Sequence, residues 1–457
     1  MSTETTTELA AREEDLLNRI RALLEEDDLG GLRDLLQDVP AADVAAVLAE
    51  LQEPEQVRVF QALDVSGEAG VLGEMSPEDV RSLAEVVPGR VHAAAELMEP
   101  DEVADVLDAL SHEQAETLLQ RFPEEQAAVA EHLRTYPPDS AGGLMTTEFV
   151  LLTEEMSARD AIKLTQRSRE AETVDDLFVA DRQNRLVGTL PLPRLVFAPP
   201  EKKVADLMED LPLAVSPETD QEELLRAATR YNLDAIPVVD DGQVMIGVVT
   251  VDDILEVAEE EADEDMYKLA GTGERDPVHA SVGRSTRLRL PWLMLSVLDG
   301  LFIAFVLSRF EGTLEGVREL KFFIPLIPLM GGQVAIQSSA IMVRALAVGD
   351  IRGSTVAGYM RKQAVIALLL AICCGAAVGL LGALIVGAAL PVMFAVGLAV
   401  GIAVLFAGIL GMILPLGFEA VGIDPAVSAG PFITMLNDLF SITIFVLLGM
   451  LLAPTGG

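Results

Sequence analysis

Residues 430–454 read GPFITMLNDLFSITIFVLLGMLLAP. No charged side chain occurs from Leu439 to Leu452, yet one carboxylate, Asp438, stands early in the same apolar run. A bilayer's hydrocarbon core needs about 20 helical residues to cross, so this stretch is read as a membrane span. An Asp at the centre of such a helix costs roughly 2.5–3.5 kcal/mol on insertion scales. A chain that keeps it there is expected to use it.

The rest of the sequence fits a membrane protein with a large soluble portion. Residues 1–290 carry 25 Lys and Arg against 64 Asp and Glu, while residues 291–457 carry 7 against 8. An acidic front half thus meets a nearly uncharged, apolar back half near Pro291. Nucleic acid is not expected as a partner, because binding phosphates takes Lys and Arg patches. A dense acidic surface suits either cation binding or solubility in a saline cytoplasm. The excess of Arg over Lys, 26 to 6, fits the saline reading. Cys373 and Cys374 are neighbours in an apolar run and read as buried thiols in a reducing-side protein. The polar, acidic start MSTETTTELAAREED carries no secretory signal, so the front half is expected on the cytoplasmic side.

Residues 8–135 read as helix throughout. Apolar side chains recur at three and four, as in Val44, Val47, Leu48, Leu51 and again in Val103, Val106, Leu107, Leu110. PAADVAAVL, SPEDVRSLA and EPDEVADVLDAL each begin like a helix. Short helices repeated with short breaks predict an α-superhelical domain. YPPDSAGGLM at 136–145 interrupts the pattern. After it, two strand–turn–strand–helix units follow, with Gly188 matching Gly247 and Leu144-Met145 matching Leu207-Met208. Residues 252–271 read as an acidic helix. Five spans are expected, at about 291–309, 322–346, 362–388, 391–417 and 431–453. Arg284, Arg287 and Arg289 precede the first span; Arg344, Arg352, Arg361 and Lys362 bracket the loop after the second. Positive charge on the cytoplasmic side then puts the soluble half inside and the C-terminus outside. The loop GFEAVGIDPAVSAG carries only acids and departs from that rule.

The stretch YNLDAIPVVDDGQVMIGVVTVDDIL (231–255) resembles a cystathionine β-synthase (CBS) domain, so 137–258 resembles a CBS pair, a module that usually senses nucleotides or ions. In the first copy LPLPRL replaces the Thr-x-Asp-Asp helix start. PLIPLMGGQVAIQSSAIMVRALAVGDI (325–351) and DPAVSAGPFITMLNDLFSITIF (424–445) resemble the MgtE family of magnesium channels or transporters. YPPDSAGGLMTTEFV (136–150) and VDDILEVAEEEADEDMYKLAG (251–271) resemble it too, and the motifs occur in the family's order along nearly the whole chain. The expected fold is a multidomain membrane protein: a helical N-domain (1–136), an α/β CBS pair (137–258), an acidic connecting helix and linker (259–290), and a five-span α-helical transmembrane domain (291–457).

The resemblance implies a homodimeric Mg²⁺ channel in the cell membrane that cytosolic Mg²⁺ closes. It places Asp438 at the ion site, with Gly331, Gly332, Gln333, Gln337, Gly430, Pro431 and Asn437 lining the pore. Mg²⁺ is small, prefers octahedral oxygen ligands and sheds water reluctantly, so two Asp438 side chains across a dimer axis suit a hydrated ion. Gln333 stands where the family usually has Asn, and Ala335 where it has Gly; in a pore-lining loop both would alter the wall. Regulatory ligands are implied at Asp220, Glu222, Asp253, Glu256, Glu261, Glu264 and Asp265, with Asp101 and Asp105 as partners in the N-domain. Asn232 stands where an acid is expected. Glu256, Glu261, Glu264 and Asp265 share one helix, where like charges repel unless cations intervene. ATP at the CBS pair is a further implied ligand. Asp299, a second acid within a span, is expected to be structural. No enzyme is expected, since His92, His112, His132 and His279 are scattered and no Gly-rich phosphate loop follows a strand. Two rivals remain: an ion-coupled carrier of divalent cations, and a membrane-anchored nucleotide sensor that has no need of Asp438.

Overall fold

The computed structural model describes residues 2–168, 173–211, 213–272, 282–311, 318–347, 351, 355–428 and 430–452. Of the residues singled out above, His279 and Arg352 lie outside them. The chain divides into two compact units, Met1–Ala258 and Glu259–Gly457.

The first unit opens with ten helices among the described residues, from Ser2–Glu25 to Glu124–Leu133. From Leu29–Leu36 onward each is only 8 to 10 residues long. Local chemistry sets their starts. Asp28 and Asp64 accept hydrogen bonds from the backbone N–H groups of Gly31 and Gly67, and Pro77, Pro88 and Pro100 occupy first-turn positions where no N–H is missed. Helices this short are marginal alone, so packing stabilises them. All eight apolar residues named from the periodicity are buried. Helices two apart in sequence pack together, 65–73 on 88–95 and 77–86 on 100–109, which builds the superhelical stack.

Ser140 caps the turn Ala141–Leu144, and the two glycines there are required by space. A Cβ on Gly142 would lie 2.5 Å from the Tyr136 ring, and one on Gly143 would lie 2.4 Å from the Pro137 carbonyl. The duplicated α/β units follow. In the first, β1 (Phe149–Thr153) runs parallel to β2 (Thr173–Ala180), β2 pairs antiparallel with β3 (Leu186–Pro191), and β3 with β4 (Glu209–Asp210). In the second, Val215 bridges in parallel to β5 (Ala235–Val239), β5 pairs with β6 (Met245–Thr250), and Thr146 bridges to Val248. The two copies exchange their edges. The segment opening the first copy completes the second, and Met208, which opens the second, lies against Gly188 of the first. This is the structural content of the Leu144-Met145 and Leu207-Met208 match.

The second unit contains five helices long and apolar enough to cross a membrane among the described residues: Val282–Arg309, Glu319–Ala347, Thr355–Val386, Leu390–Ala420 and Pro431–Leu451. The first begins nine residues before the expected start at 291, because Pro291 lies inside the helix instead of ending it. Proline is tolerated in membrane helices when neighbouring groups take up the freed carbonyl. The third and fourth helices part at Gly387, whose φ of +69° suits glycine. They touch backbone to backbone, since a Cβ on Gly397 would lie 2.5 Å from the Gly375 carbonyl and the reverse also holds. Small residues allow such approach in lipid, where association depends on close packing. Cys373 and Cys374 on the third helix are exposed and half-buried, not buried as expected, because Cys373 lies on the face of that helix turned away from the fourth and Cys374 is only partly packed against the core. Gly397→Val should therefore force the third and fourth spans apart. We expect the detergent-solubilised chain to lose about 1–3 kcal/mol of stability, read as a lower midpoint of thermal unfolding.

Candidate functional site

Asp438 lies two turns into the helix Pro431–Leu452, and its neighbour Asn437 positions it. Asn437 is fully buried. Its Nδ2 donates to the Pro328 carbonyl at 3.2 Å and to Asp438 Oδ1 at 3.1 Å, while its Oδ1 accepts from the Ser441 hydroxyl at 3.3 Å. One amide thus ties the second span to the fifth and orients the carboxylate. The other Asp438 oxygen makes no hydrogen bond among the described residues.

The stretch Gly331-Gly332-Gln333 is not a loop or a break. It lies inside the helix Leu326–Ala347. Hydrocarbon offers backbone groups no water, so the helix continues through its glycines. Both glycines are buried for packing: a Cβ on Gly331 would fall 2.3 Å from Asn437 Oδ1, and Gly332 faces Thr434. Gln333 and Gln337, one turn apart, are exposed on a single face of the same helix. Ala335 points elsewhere; it is buried against the fourth span, where its carbonyl would lie 2.6 Å from a Cβ on Gly411. Its methyl therefore belongs to helix packing, not to the wall that Gln333 faces. The carbonyls of Gly430 and Pro431, two residues expected to line the pore, lie 3.2 and 3.0 Å from the Thr434 hydroxyl, which donates to them. Gly430 and Pro431 also meet Leu269 and Gly271, at the end of the helix Val251–Leu269.

The acids expected to regulate fall into three groups. Asp101, Asp105 and Asp253 lie within electrostatic reach of one another, with Glu102 beside them. Burial, then the nearby acids, raises Asp101 and Asp253 to about 6 each. The same causes raise Asp105, although solvent reaches its open face and Glu256 adds to the charge it feels. Asp101 Oδ1 is closed off from solvent without a hydrogen-bond partner among the described residues. Asp253 accepts from the Thr250 N–H and hydroxyl at 3.2 and 2.7 Å. In the second group, Asp220 caps its helix by accepting from the Glu222 N–H, Glu222 pairs with Arg226, and Asn232 closes the helix in the left-handed conformation at φ 54°. Asn tolerates that conformation better than most residues, which gives this departure from the family pattern a local cause.

The third group holds Glu261, Glu264 and Asp265 on the connecting helix. Two residues the sequence reading passed over complete it: Lys268 pairs with Glu264 and, at 2.5 Å, with Asp424. Burial works against the Lys268 charge, but the two carboxylates outweigh it and hold the ammonium protonated. Burial and then Asp424 raise Asp265 to about 6. Lys268 is the one Lys or Arg of the acidic helix, which was the available signal; Asp424 had no local one. Among the described residues no three His, Cys, Asp or Glu side chains converge closely enough to hold a metal directly. Carboxylate oxygens suit a hard cation that keeps most of its water, and the orphaned Asp101 oxygen fits such an ion.

Comparison with known proteins agrees with this arrangement. Residues 324–448 match the MgtE family, described as a divalent cation transporter; 39–139 match the MgtE intracellular N domain; 141–200 and 204–260 match CBS domains. The chain is 30% identical over 434 residues to the magnesium transporter MgtE of Bacillus subtilis, covering 94% of this chain and 96% of that one. It is 32% identical over 447 residues to the magnesium transporter MgtE of Thermus thermophilus, covering 96% and 99%. A crystal structure of the cytosolic domain of the Mg²⁺ channel MgtE in complex with ATP superposes with a TM-score of 0.50 at 32% identity, covering 53% of this chain and 99% of that one.

The raised carboxylates give a pH dependence of definite sign. Asp101 and Asp253 bind protons more tightly folded than unfolded, so their destabilisation is absent at low pH and grows as pH rises through about 6. With divalent cations chelated, stability should rise by about 1 kcal/mol per carboxylate between pH 7.5 and 5.5. Denaturant midpoints of the full chain across that range check this. The rise should shrink but persist in Asp101→Asn/Asp253→Asn, because Asp105 and Asp265 are raised as well, and excess Mg²⁺ at pH 7.5 should replace it.

Proposed function

The chain belongs to the MgtE family of divalent cation transporters, and from that premise we propose that it is a homodimeric, Mg²⁺-selective channel closed by cytosolic Mg²⁺. The observation that carries the proposal is the Asp438 carboxylate, kept in an apolar span and oriented by Asn437. An ion path needs a site that attracts Mg²⁺ without trapping it, and one open carboxylate per protomer beside a hydrated ion meets that need. Gln333 and Gln337 present amides on an exposed face inside a span, a position that favours a water-lined partner surface over lipid. The membrane is the cell membrane, crossed five times, with the soluble half in the cytoplasm and the C-terminus outside. The chain catalyses no reaction in this reading, and ATP is a second ligand, held at its CBS pair; the related cytosolic domain solved in complex with ATP supports ATP as a ligand.

Closure follows from charge. When cytosolic Mg²⁺ is scarce, the acids of the N-domain, CBS pair and connecting helix repel one another. When it is abundant, bridging hydrated ions at Asp101, Asp105, Asp220, Glu222, Asp253, Glu256, Glu261, Glu264 and Asp265 stabilise the closed arrangement. Mg²⁺ shifts the equilibrium only through tighter binding to the closed state. Several weak sites together supply the roughly 5.5 kcal/mol that moves a population from 1:99 to 99:1.

Two experiments test these readings. In proteoliposomes, Asp438→Ala should abolish Mg²⁺ uptake while the dimer persists on gel filtration. Asp438→Asn should retain some flux and lose preference for divalent over monovalent cations; wild-type uptake by either variant removes Asp438 from the ion path. Gln333→Asn should change discrimination among divalent cations, whereas Ala335→Gly, buried against the fourth span, should act on stability alone. For closure, neutralising Glu256, Glu261, Glu264 and Asp265 together should weaken the dependence of flux on cytosolic Mg²⁺. Superimposable inhibition curves would show those acids to be a solvated surface only. Flux that requires a Na⁺ or H⁺ gradient would replace the channel with a carrier.

A further inference from the structure

Asp299 is the other carboxylate inside an apolar span, and the ion path as described leaves it without a task. Its place on the first span is defined by burial. Trp292, Leu295, Asp299, Ile303 and Val306 are among the less exposed positions of an otherwise open helix, which follow the three-and-four spacing of one face. Ile303 and Val306 of that face pack against the core that contains Ile433 and Ile442 of the fifth span. Asp299 therefore lies on the side turned to protein, one turn before Ile303, and the first and fifth spans pack together. The charge that acts on it is Asp438. No Lys, Arg or His pairs with either carboxylate among the described residues.

An acid on a packing face at membrane depth needs a counter-charge or water. A purely structural face would carry another apolar residue there, as at Leu295 and Ile303. Two carboxylates of one protomer in electrostatic reach of each other, with no basic side chain paired to either among the described residues, concentrate negative charge that attracts a divalent cation more strongly than a monovalent one. We propose that Asp299 is a specificity-determining residue of the ion path, which with Asp438 of the same protomer forms a two-carboxylate seat for a hydrated divalent cation. This rests on the reading of Asp438 as the pore carboxylate. Asp299 supplies charge and no direct metal bond, so the ion keeps its water and remains able to leave.

The test is Mg²⁺ uptake by the full chain in proteoliposomes, measured against Mg²⁺ concentration with and without excess K⁺, for wild type, Asp299→Asn, Asp299→Glu, Asp438→Asn and Asp299→Asn/Asp438→Asn. Asn is near-isosteric and lowers the insertion cost, so Asp299→Asn is expected to assemble as wild type does. Its half-saturating Mg²⁺ should rise roughly tenfold, the loss of one unit charge beside a poorly screened site, and K⁺ should now compete. Asp299→Glu, which restores the charge, should keep the divalent preference. If the two carboxylates share one ion, the double variant should fall short of the product of the single effects. Wild-type Mg²⁺ dependence and K⁺ insensitivity in Asp299→Asn, with Asp438→Asn impaired, would reduce Asp299 to packing and leave the pore reading standing. Unimpaired Asp438→Asn would remove the pore reading and this proposal with it. Should Asp299→Asn fail to assemble, Asp299→Thr, small and uncharged, is read in its place with the same two outcomes.

Discussion

A carboxylate at membrane depth is costly, and the hydrogen bond from Asn437 offsets part of that cost for Asp438. Its amide reaches the Pro328 carbonyl and the Asp438 oxygen together, while Ser441 holds its own oxygen. Pro328 sits in the first turn of its helix, where the absence of its N–H costs little. Gly331 leaves room for the Asn437 head, which any side chain would displace. The second and fifth spans therefore approach as closely as they do because one residue is missing a side chain and another is fully buried. The same logic recurs at Gly375 and Gly397, where two backbones touch. In this membrane domain small residues set the distances, and one polar residue sets the direction of the charge.

The soluble half presents the opposite problem, too much charge of one sign. The protein answers part of it internally. Arg226 takes Glu222, Thr250 takes Asp253, and the Glu222 N–H takes Asp220. Lys268 holds Glu264 and Asp424. These partners leave the acids unequally committed. Asp101 keeps one closed-off oxygen without a hydrogen-bond partner among the described residues, whereas Asp220 is committed to a helix start. A set of acids that looks uniform in sequence is thus graded in what the fold supplies to each.

What could be read from the sequence follows the range of the interaction involved. Helix repeats were legible because each short helix buries its own three-and-four stripe, as Val44, Val47 and Leu48 do. The duplication was legible because Gly188 and Gly247 each leave room for a methionine, Met208 and Met145. Asp438 stood out by contrast with its neighbours. The Gly331-Gly332 pair misled because glycine breaks helices in water, where backbone groups can turn to solvent, but not in lipid, where they cannot. Pro291 misled in the same way. Ala335 was assigned to the pore wall from its neighbours in sequence, but position on a helix face, not proximity along the chain, decides which way a side chain turns. Lys268 and Asp424 meet across most of the membrane domain, and no local pattern announces such a pair.

That last contact also tests the number of spans. Lys268 precedes the first span and Asp424 follows the fourth, yet their charged groups meet at 2.5 Å. Two segments on one side of a bilayer must be separated by an even number of crossings. Four long apolar helices lie between them, as parity demands. Fusing the third and fourth spans into a single crossing would leave three, an odd number, and would put these two groups on opposite faces. The acid-only loop after the fourth span therefore does not stand alone. Asp424 has the ammonium of Lys268 beside it, and the same helix brings Glu264 and Asp265 to that ammonium as well. One cation thus ties together acids from two segments that four spans separate along the chain.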